Sequence, residues 1–435
     1  MKIGIRAEDK SPWERRVPLV PEDIRKLARE GLQVAVESSP QRAIGDTEFK
    51  EAGVAVTESL VDCPIIVGIK EIPSQRLEEK KTYLFFSHVI KGQAYNMPML
   101  RRLMELKATL IDYERIVDEQ NRRLIFFGRH AGLAGMVNSL WALGQRLDWE
   151  KIETPLTRLR QARTYRNLDA AREDLSVVAE DIKRGGMPAV TTPLVCGFTG
   201  YGNVSQGAQE IFDLLPHEEI APDQLGKLPA GVNDRLFKVV FREEDCMVPL
   251  ETGAAFNLAD YFDRGSQAYR SVFAPLAEHL TLLVNCIYWD QRYPRLLTSA
   301  DCRRMWANGR QPKLRVVGDI SCDPDGSVQC TVKPTGPGNP LYVYEPESAR
   351  AVDGVAGHGP VVMAVEILPA EIPRESSQHF SSVLRGYMQA LATADFSQPF
   401  EALQLPDELK RATILHRGEL TTAYRYLQAH LDASA

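Results

Sequence analysis

The 435-residue sequence predicts an α/β fold in two domains, each built on a parallel sheet, and three observations carry that expectation. Short apolar runs of strand length alternate with segments of helical spacing through roughly the first third of the chain. A long, largely apolar helix predicted over 131–149 then separates this pattern from a second one. The second pattern opens at 194–212 with a strand, a glycine-rich turn and an amphipathic helix.

Taken in order, residues 2–6 read as the first strand. Residues 21–30 read as a helix with Pro21 at its first position and Gly31 just past its end. The apolar runs 34–37, 65–70, 83–88, 109–113 and 124–127 have the composition of strands buried on both faces. Residues 94–106 carry helical spacing between them. A second amphipathic helix is predicted over 169–184, stopped by Gly185 and Gly186. Strands follow at 194–199, 236–241, 280–289 and 314–320. From 321 to about 359 the chain is rich in Gly and Pro, and a last strand (361–368) and helix (376–392) come after it.

Composition excludes several function classes. A net charge of −6 argues against a nucleic-acid binder driven by phosphate neutralisation. The seven cysteines form no CxxC pair and no zinc-site spacing, which suits a reducing compartment and no metal centre. The first ten residues are charged and lack an apolar core, and no apolar run is long enough to span a bilayer. A cytoplasmic protein without a membrane segment is the expectation.

Two stretches carry chemistry. In the first, Gly200-Tyr-Gly202 follows a strand and opens a helix. The first glycine permits the tight turn, the second lets backbone amides approach a pyrophosphate, and the helix start supplies free N–H groups. Ser205 replaces the third fingerprint glycine. The acidic residue usually found about twenty positions on falls among Glu218, Glu219 and Asp223, none of which closes an obvious strand. NAD and NADP both remain open on this reading.

In the second, three strands of the first domain finish in ionisable groups: Lys70-Glu71, His88 and Glu114. Ligands of open α/β sheets sit beyond the carboxyl ends of the strands, so these residues define one cleft. There a desolvated lysine beside carboxylates is tuned for acid–base work. Arg15-Arg16 and Arg122-Arg123, with Arg129 nearby, have the fork geometry that holds carboxylates.

These residues sit in an ordered set of motifs: ERRVPLVPEDI (14–24), VGIKEIP (67–73), FFSHVIKGQ (85–93), TLIDYE (109–114), DEQNRRLIFFGRHAGLAG (118–135), GFTGYGNVSQGAQEIF (197–212), LVNCIYWDQRYPRLLT (283–298) and GDIS (318–321). The set resembles the lysine–2-oxoglutarate reductase domain of the alpha-aminoadipic semialdehyde synthases. It is more distantly similar to the lysine-forming saccharopine dehydrogenases and to the alanine dehydrogenase/transhydrogenase superfamily.

The resemblance implies two Rossmann-like domains whose parallel sheets flank an interdomain cleft. A substrate domain would comprise 1–135 plus 325–435, and a dinucleotide-binding domain 136–324. It implies NAD(P)H-dependent condensation of L-lysine with 2-oxoglutarate to saccharopine, or the reverse. NADP(H) is favoured, with NAD(H) as the alternative. Lys70 and His88 correspond to the acid–base pair, and Glu71 and Glu114 to their acidic neighbours. Arg16, Arg123 and Phe127 correspond to substrate-binding positions. Gly200, Gly202, Asn203, Val204, Cys286, Ile287, Tyr288 and Asp319 correspond to positions lining the dinucleotide.

The chain has no length for a second, semialdehyde-forming dehydrogenase. A free-standing reductase, monomeric or homodimeric, is therefore expected, served by a separate glutamate-forming saccharopine dehydrogenase. Two other readings compete: an amino-acid dehydrogenase of alanine-dehydrogenase type, and a non-catalytic dinucleotide-binding subunit.

Overall fold

Eight strands form the first sheet of the computed structural model, which describes residues 1–434. Six of them are parallel. In chain order they are Ile3–Ile5, Val34–Glu37, Ala55–Thr57, Ile65–Val67, Thr82–Leu84 and Thr109–Ile111. Across the sheet they run third, second, first, fourth, fifth, sixth, the doubly wound order. The strand order reverses between Ile3–Ile5 and Ile65–Val67, which makes the carboxyl ends of those two strands the natural ligand position. Ile3, Ile5, Ile65, Val67, Leu84 and Ile111 are all buried, which explains why these strands read as continuous apolar runs.

The C-terminal segment completes this unit. Thr413–His416 pairs antiparallel with Thr109–Ile111 and continues into Glu419–Leu420. Helix Pro373–Thr393 packs on helix Pro21–Arg29, where the Ser381 hydroxyl donates to Asp23 Oδ2 at 2.7 Å. Residues 124–127 form no strand: Leu124 N–H donates to Ile116 O, and the Phe127 ring stacks on Phe380 with centroids 5.1 Å apart.

The second unit, Gly128–Ile372, has its own eight-stranded sheet. Val195–Thr199 lies between Leu236–Phe241 and Leu282–Asn285, and Val316–Asp319 and Val361–Met363 extend the sheet in parallel. An antiparallel pair, Leu341–Glu345 and Arg350–Asp353, closes one edge, and the short His217–Glu219 closes the other.

The expected domain limits need correction. Residues 325–372 stay with the second unit because their strands hydrogen-bond onto Val316–Asp319. The first unit resumes only at Pro373. Residues 128–135 also belong to the second unit, as the start of helix Gly128–Trp149. That helix is apolar around most of its circumference, as befits a buried one. It packs on helix Asn203–Phe212 so closely that no side chain fits between them. A Cβ on Gly207 would meet the carbonyl of Arg129, and one on Gly132 would meet that of Val204. No helix among the described residues is long and apolar enough to cross a membrane.

Candidate active site

In the first unit, the turn after Ile65–Val67 carries Lys70 and Glu71. Its backbone is held from the neighbouring strand: Glu8 accepts from Ile69 N–H at 2.7 Å and from Lys70 N–H at 3.0 Å. Tyr113, at the end of the sixth strand, donates to Ile69 O at 2.9 Å. The Lys70 ammonium sits over the Phe86 ring, 5.5 Å from its centroid, and the His88 imidazole packs on the same ring at 4.1 Å, with Tyr113 edge-on to it at 5.4 Å. Lys70 forms no ion pair within 4.0 Å among the described residues. Burial, reinforced by the Arg16 charge, holds its pKa below the ordinary lysine value, while Glu14, Glu71 and Glu8 pull the other way. A lysine so placed gives up its proton more readily than an exposed one.

His88 has a left-handed backbone (φ +53°). Its Nδ1 lies 2.6 Å from Glu71 Oε1. Burial alone would raise the Glu71 pKa. The His88 hydrogen bond and charge, with Lys10 3.5 Å away, instead bring it down to about 2, so the carboxylate is ionised and orients the ring. The preceding residue is anchored too, since Ser87 donates from both its backbone N–H and its hydroxyl to Asp112 Oδ2. Asp112 also caps the turn of Glu114, and burial raises its pKa to about 6. Glu114 is buried and pairs with the half-exposed Arg123.

Arg16 is buried and gripped in a fork by Glu14, at 2.7 Å through Nε and 2.6 Å through Nη2. Its guanidinium lies 4.4 Å from the Phe127 centroid. The predicted Lys70, Glu71, His88 and Glu114 thus lie at the carboxyl edge of one sheet. Arg16 arrives there with one edge already occupied by a protein carboxylate. Arg122 is taken up by Asp118, and Arg129 pairs with Glu210 in the second unit.

Sequence reasoning passed over Glu8 and Glu14. The rule that singles out Lys70, His88 and Glu114 applies equally to the first strand, whose end reads Arg6-Ala7-Glu8-Asp9. Burial raises the Glu8 pKa to about 7 against the opposing charge of Arg6. Its proton is therefore held more tightly in the fold than in the unfolded chain, whose carboxyl titrates near 4.5. Between those values the native state holds more protons, and stability falls as pH rises. Glu8→Gln should flatten that slope, as read from urea midpoints across the same window. Asp112 acts with the same sign and leaves a residual slope. A slope unchanged in Glu8→Gln would show that Glu8 is already ionised below neutrality.

In the second unit, Gly200 (φ +83°) makes the turn after Val195–Thr199, and Gly202 caps helix Asn203–Phe212. A side chain at Gly200 would press on Ile287 Cγ2 at 3.0 Å, whereas nothing lies within 4 Å of a Cβ at Gly202. A cavity of about 330 Å³ opens beside the turn, with Gly200, Gly202, Cys286, Ile287 and Tyr288 among its lining. Asn203 is exposed and Val204 half-buried in the first helical turn. Bare backbone at a helix start beside a cavity fits a dinucleotide pyrophosphate.

Two expectations change here. Asp319 is buried, and its carboxylate is occupied by Asn285 (2.9 Å), Ser321 (2.7 Å) and Thr331 (2.5 Å). It braces the strand ends rather than facing a ligand. The strand beside Val195–Thr199 is Leu236–Phe241, not His217–Glu219. The position expected to recognise the adenosine ribose is therefore Arg242-Glu243, about forty residues after the turn, and not Glu218, Glu219 or Asp223. Arg242 lies 4.8 Å from the Tyr201 centroid with no ion pair within 4.0 Å among the described residues. Glu243 Oε2 accepts from the Tyr201 hydroxyl at 3.2 Å.

Comparison with known proteins adds ancestry to this geometry. Residues 4–134 match the family described as Alanine dehydrogenase/PNT, N-terminal domain. The chain is 36% identical to alpha-aminoadipic semialdehyde synthase of Arabidopsis thaliana, over 98% of this chain but only 41% of that protein. It is 28% identical to saccharopine dehydrogenase [NAD(+), L-lysine-forming] of Yarrowia lipolytica, over 88% and 90% of the two chains. Among solved structures, L-alanine dehydrogenase superposes with a TM-score of 0.58 at 19% identity, covering 100% of both chains, a likeness of fold.

Proposed function

Because this chain carries an alanine dehydrogenase/PNT N-terminal domain and is homologous to alpha-aminoadipic semialdehyde synthase and to lysine-forming saccharopine dehydrogenase, we propose that it is an oxidoreductase of lysine metabolism. It joins the ε-amine of L-lysine to 2-oxoglutarate and reduces the product to saccharopine, or runs that reaction backwards. The observation that carries the reading is the arrangement of Lys70, Phe86, His88 and Glu71 at one sheet edge.

Condensation needs a proton taken from the attacking amine and a proton given to the departing oxygen. Lys70 and His88, both beside the Phe86 ring, are two such groups within one side-chain cluster. Glu71 holds His88 in a single ring orientation through its Nδ1. Arg123 and the remaining Nη1 of Arg16 bind substrate carboxylates. A nicotinamide held at the Gly200 turn supplies the hydride when bound. Gly200, Gly202 and the start of helix Asn203–Phe212 would hold its pyrophosphate, and Tyr288 and Ile287 its flanks.

The test is the oxidation of NADPH and NADH across amino acids paired with 2-oxoglutarate. Turnover with lysine and none with ammonia is expected. Turnover with pyruvate and ammonia alone would make the chain an alanine-type dehydrogenase, and no turnover with any pair would make it a binding subunit.

NADP(H) is the proposed cofactor, since Arg242 offers a guanidinium without a counter-ion where a 2′-phosphate would sit. Arg242→Gln should weaken NADPH by roughly 1.5–3 kcal/mol, about tenfold to a hundredfold, and leave NADH nearly unchanged. Fluorescence titration of both dinucleotides measures it. An equal loss for both would return the preference to Glu243.

A further inference from the structure

In the first unit, a cavity of about 540 Å³ is lined by Ile90, Arg115, Val117, Arg411, Tyr424 and Tyr426 among others. It holds two half-buried guanidinium groups, Arg115 and Arg411, and neither forms an ion pair within 4.0 Å among the described residues. Arg115 reaches only neutral partners, the Tyr424 hydroxyl at 3.4 Å and Asn121 Oδ1 at 3.3 Å. Arg411 donates through Nη2 to Val117 O at 2.8 Å, while its Nε is buried with no hydrogen-bond partner. Tyr424 joins the two by donating to Arg411 O at 2.7 Å. Of the acids along the same wall, Asp118 is already taken by Arg122, and Glu119 is exposed.

Two partly desolvated cations that share a cavity and lack a counter-ion are an incomplete arrangement, because desolvated charge is stable only when paired. We infer that this cavity is a second binding site, for a small anion carrying carboxylate or phosphate groups, bridged between Arg115 and Arg411. Its walls belong to the catalytic elements. Ile90 lies two residues beyond His88 and accepts a 2.6 Å hydrogen bond from Tyr426. Arg115 follows Glu114, and Val117 is bridged to Arg123. An anion bound there would stiffen the loops that present His88, Glu114 and Arg123, an effect that rests on the proposed catalytic reading. The binding itself does not rest on it.

The experiment is calorimetric titration of the full chain with citrate and, separately, with inorganic phosphate. The proteins compared are wild type, Arg411→Ala, Arg115→Gln and the active-site variant Arg123→Ala. At least one probe should bind wild type and Arg123→Ala alike, and lose tenfold or more in affinity in both Arg411→Ala and Arg115→Gln. Citrate alone would mark a carboxylate ligand, and phosphate alone a phosphorylated one. Binding lost only in Arg123→Ala, equal binding in all four proteins, or binding of neither probe overturns the site. Arg115→Gln keeps the test valid if Arg411→Ala fails to fold. Because no step requires turnover, a negative result here is distinguishable from failure of the catalytic proposal.

Discussion

Lys70→Met should lose about 10²–10⁴-fold in turnover, the range typical of removing a positioned acid–base group. Methionine keeps an unbranched apolar stem of similar length and removes the ammonium that sits over Phe86. The fold should not suffer. Lys70 is a desolvated cation whose charge is already disfavoured, and an apolar group of similar volume is neutral or stabilising in such a place. Dinucleotide affinity should stay within error, since the Gly200 turn belongs to the other unit. Initial rates of NAD(P)H oxidation, paired with a fluorescence titration of the cofactor, separate the two effects. Wild-type turnover in Lys70→Met would remove this residue from the chemistry and leave His88 as the sole proton carrier.

Gly207→Ala is the larger structural effect. The added methyl would run into the backbone of Arg129, whose carbonyl carbon lies 2.9 Å from the ideal Cβ, and backbone cannot rotate aside as a side chain can. Helices Gly128–Trp149 and Asn203–Phe212 must then move apart, opening a packed core. Overpacking of this kind costs about 1–3 kcal/mol, and each kcal/mol lowers Tm by about 2–4 °C in a unit of this size. The displaced helix is the one whose first turn is proposed to hold the dinucleotide, so cofactor affinity should fall with stability. Gly386→Ala is the control: nothing lies within 4 Å of its Cβ, and a helix-interior alanine should gain up to about 1 kcal/mol. Thermal melts with and without cofactor report both. An unchanged melt and affinity in Gly207→Ala would mean that the two helices separate at no cost.

Much of the candidate site is legible in the sequence because its signals are local. A buried parallel strand is a short apolar run, and the polar residue that ends it marks the sheet's carboxyl edge. Lys70, His88 and Glu114 followed from that rule alone, and Glu8 would have followed had the rule been applied to the first strand. The Gly200-Tyr201-Gly202 turn was legible for the same reason, since glycine at a positive φ between a strand and a helix is a local demand. Residues 124–127 show the limit. Four apolar residues in a row look like a strand, but Phe127 is apolar in order to stack on Phe380, which lies far along the chain.

By itself, then, the sequence determined the α/β class, the glycine turn, the ionisable residues that end the strands and the stretch over 4–134 that matches the alanine dehydrogenase/PNT N-terminal domain, because each is written in local motifs. Only the tertiary structure decided that Leu236–Phe241, not His217–Glu219, flanks the nucleotide strand. It likewise decided that residues 325–372 stay in the second unit, and that Asp319 is sealed by Asn285, Ser321 and Thr331. These outcomes turn on which strands pair and which carboxylates lose their water. Such pairings join residues tens to hundreds of positions apart, and no local pattern records them.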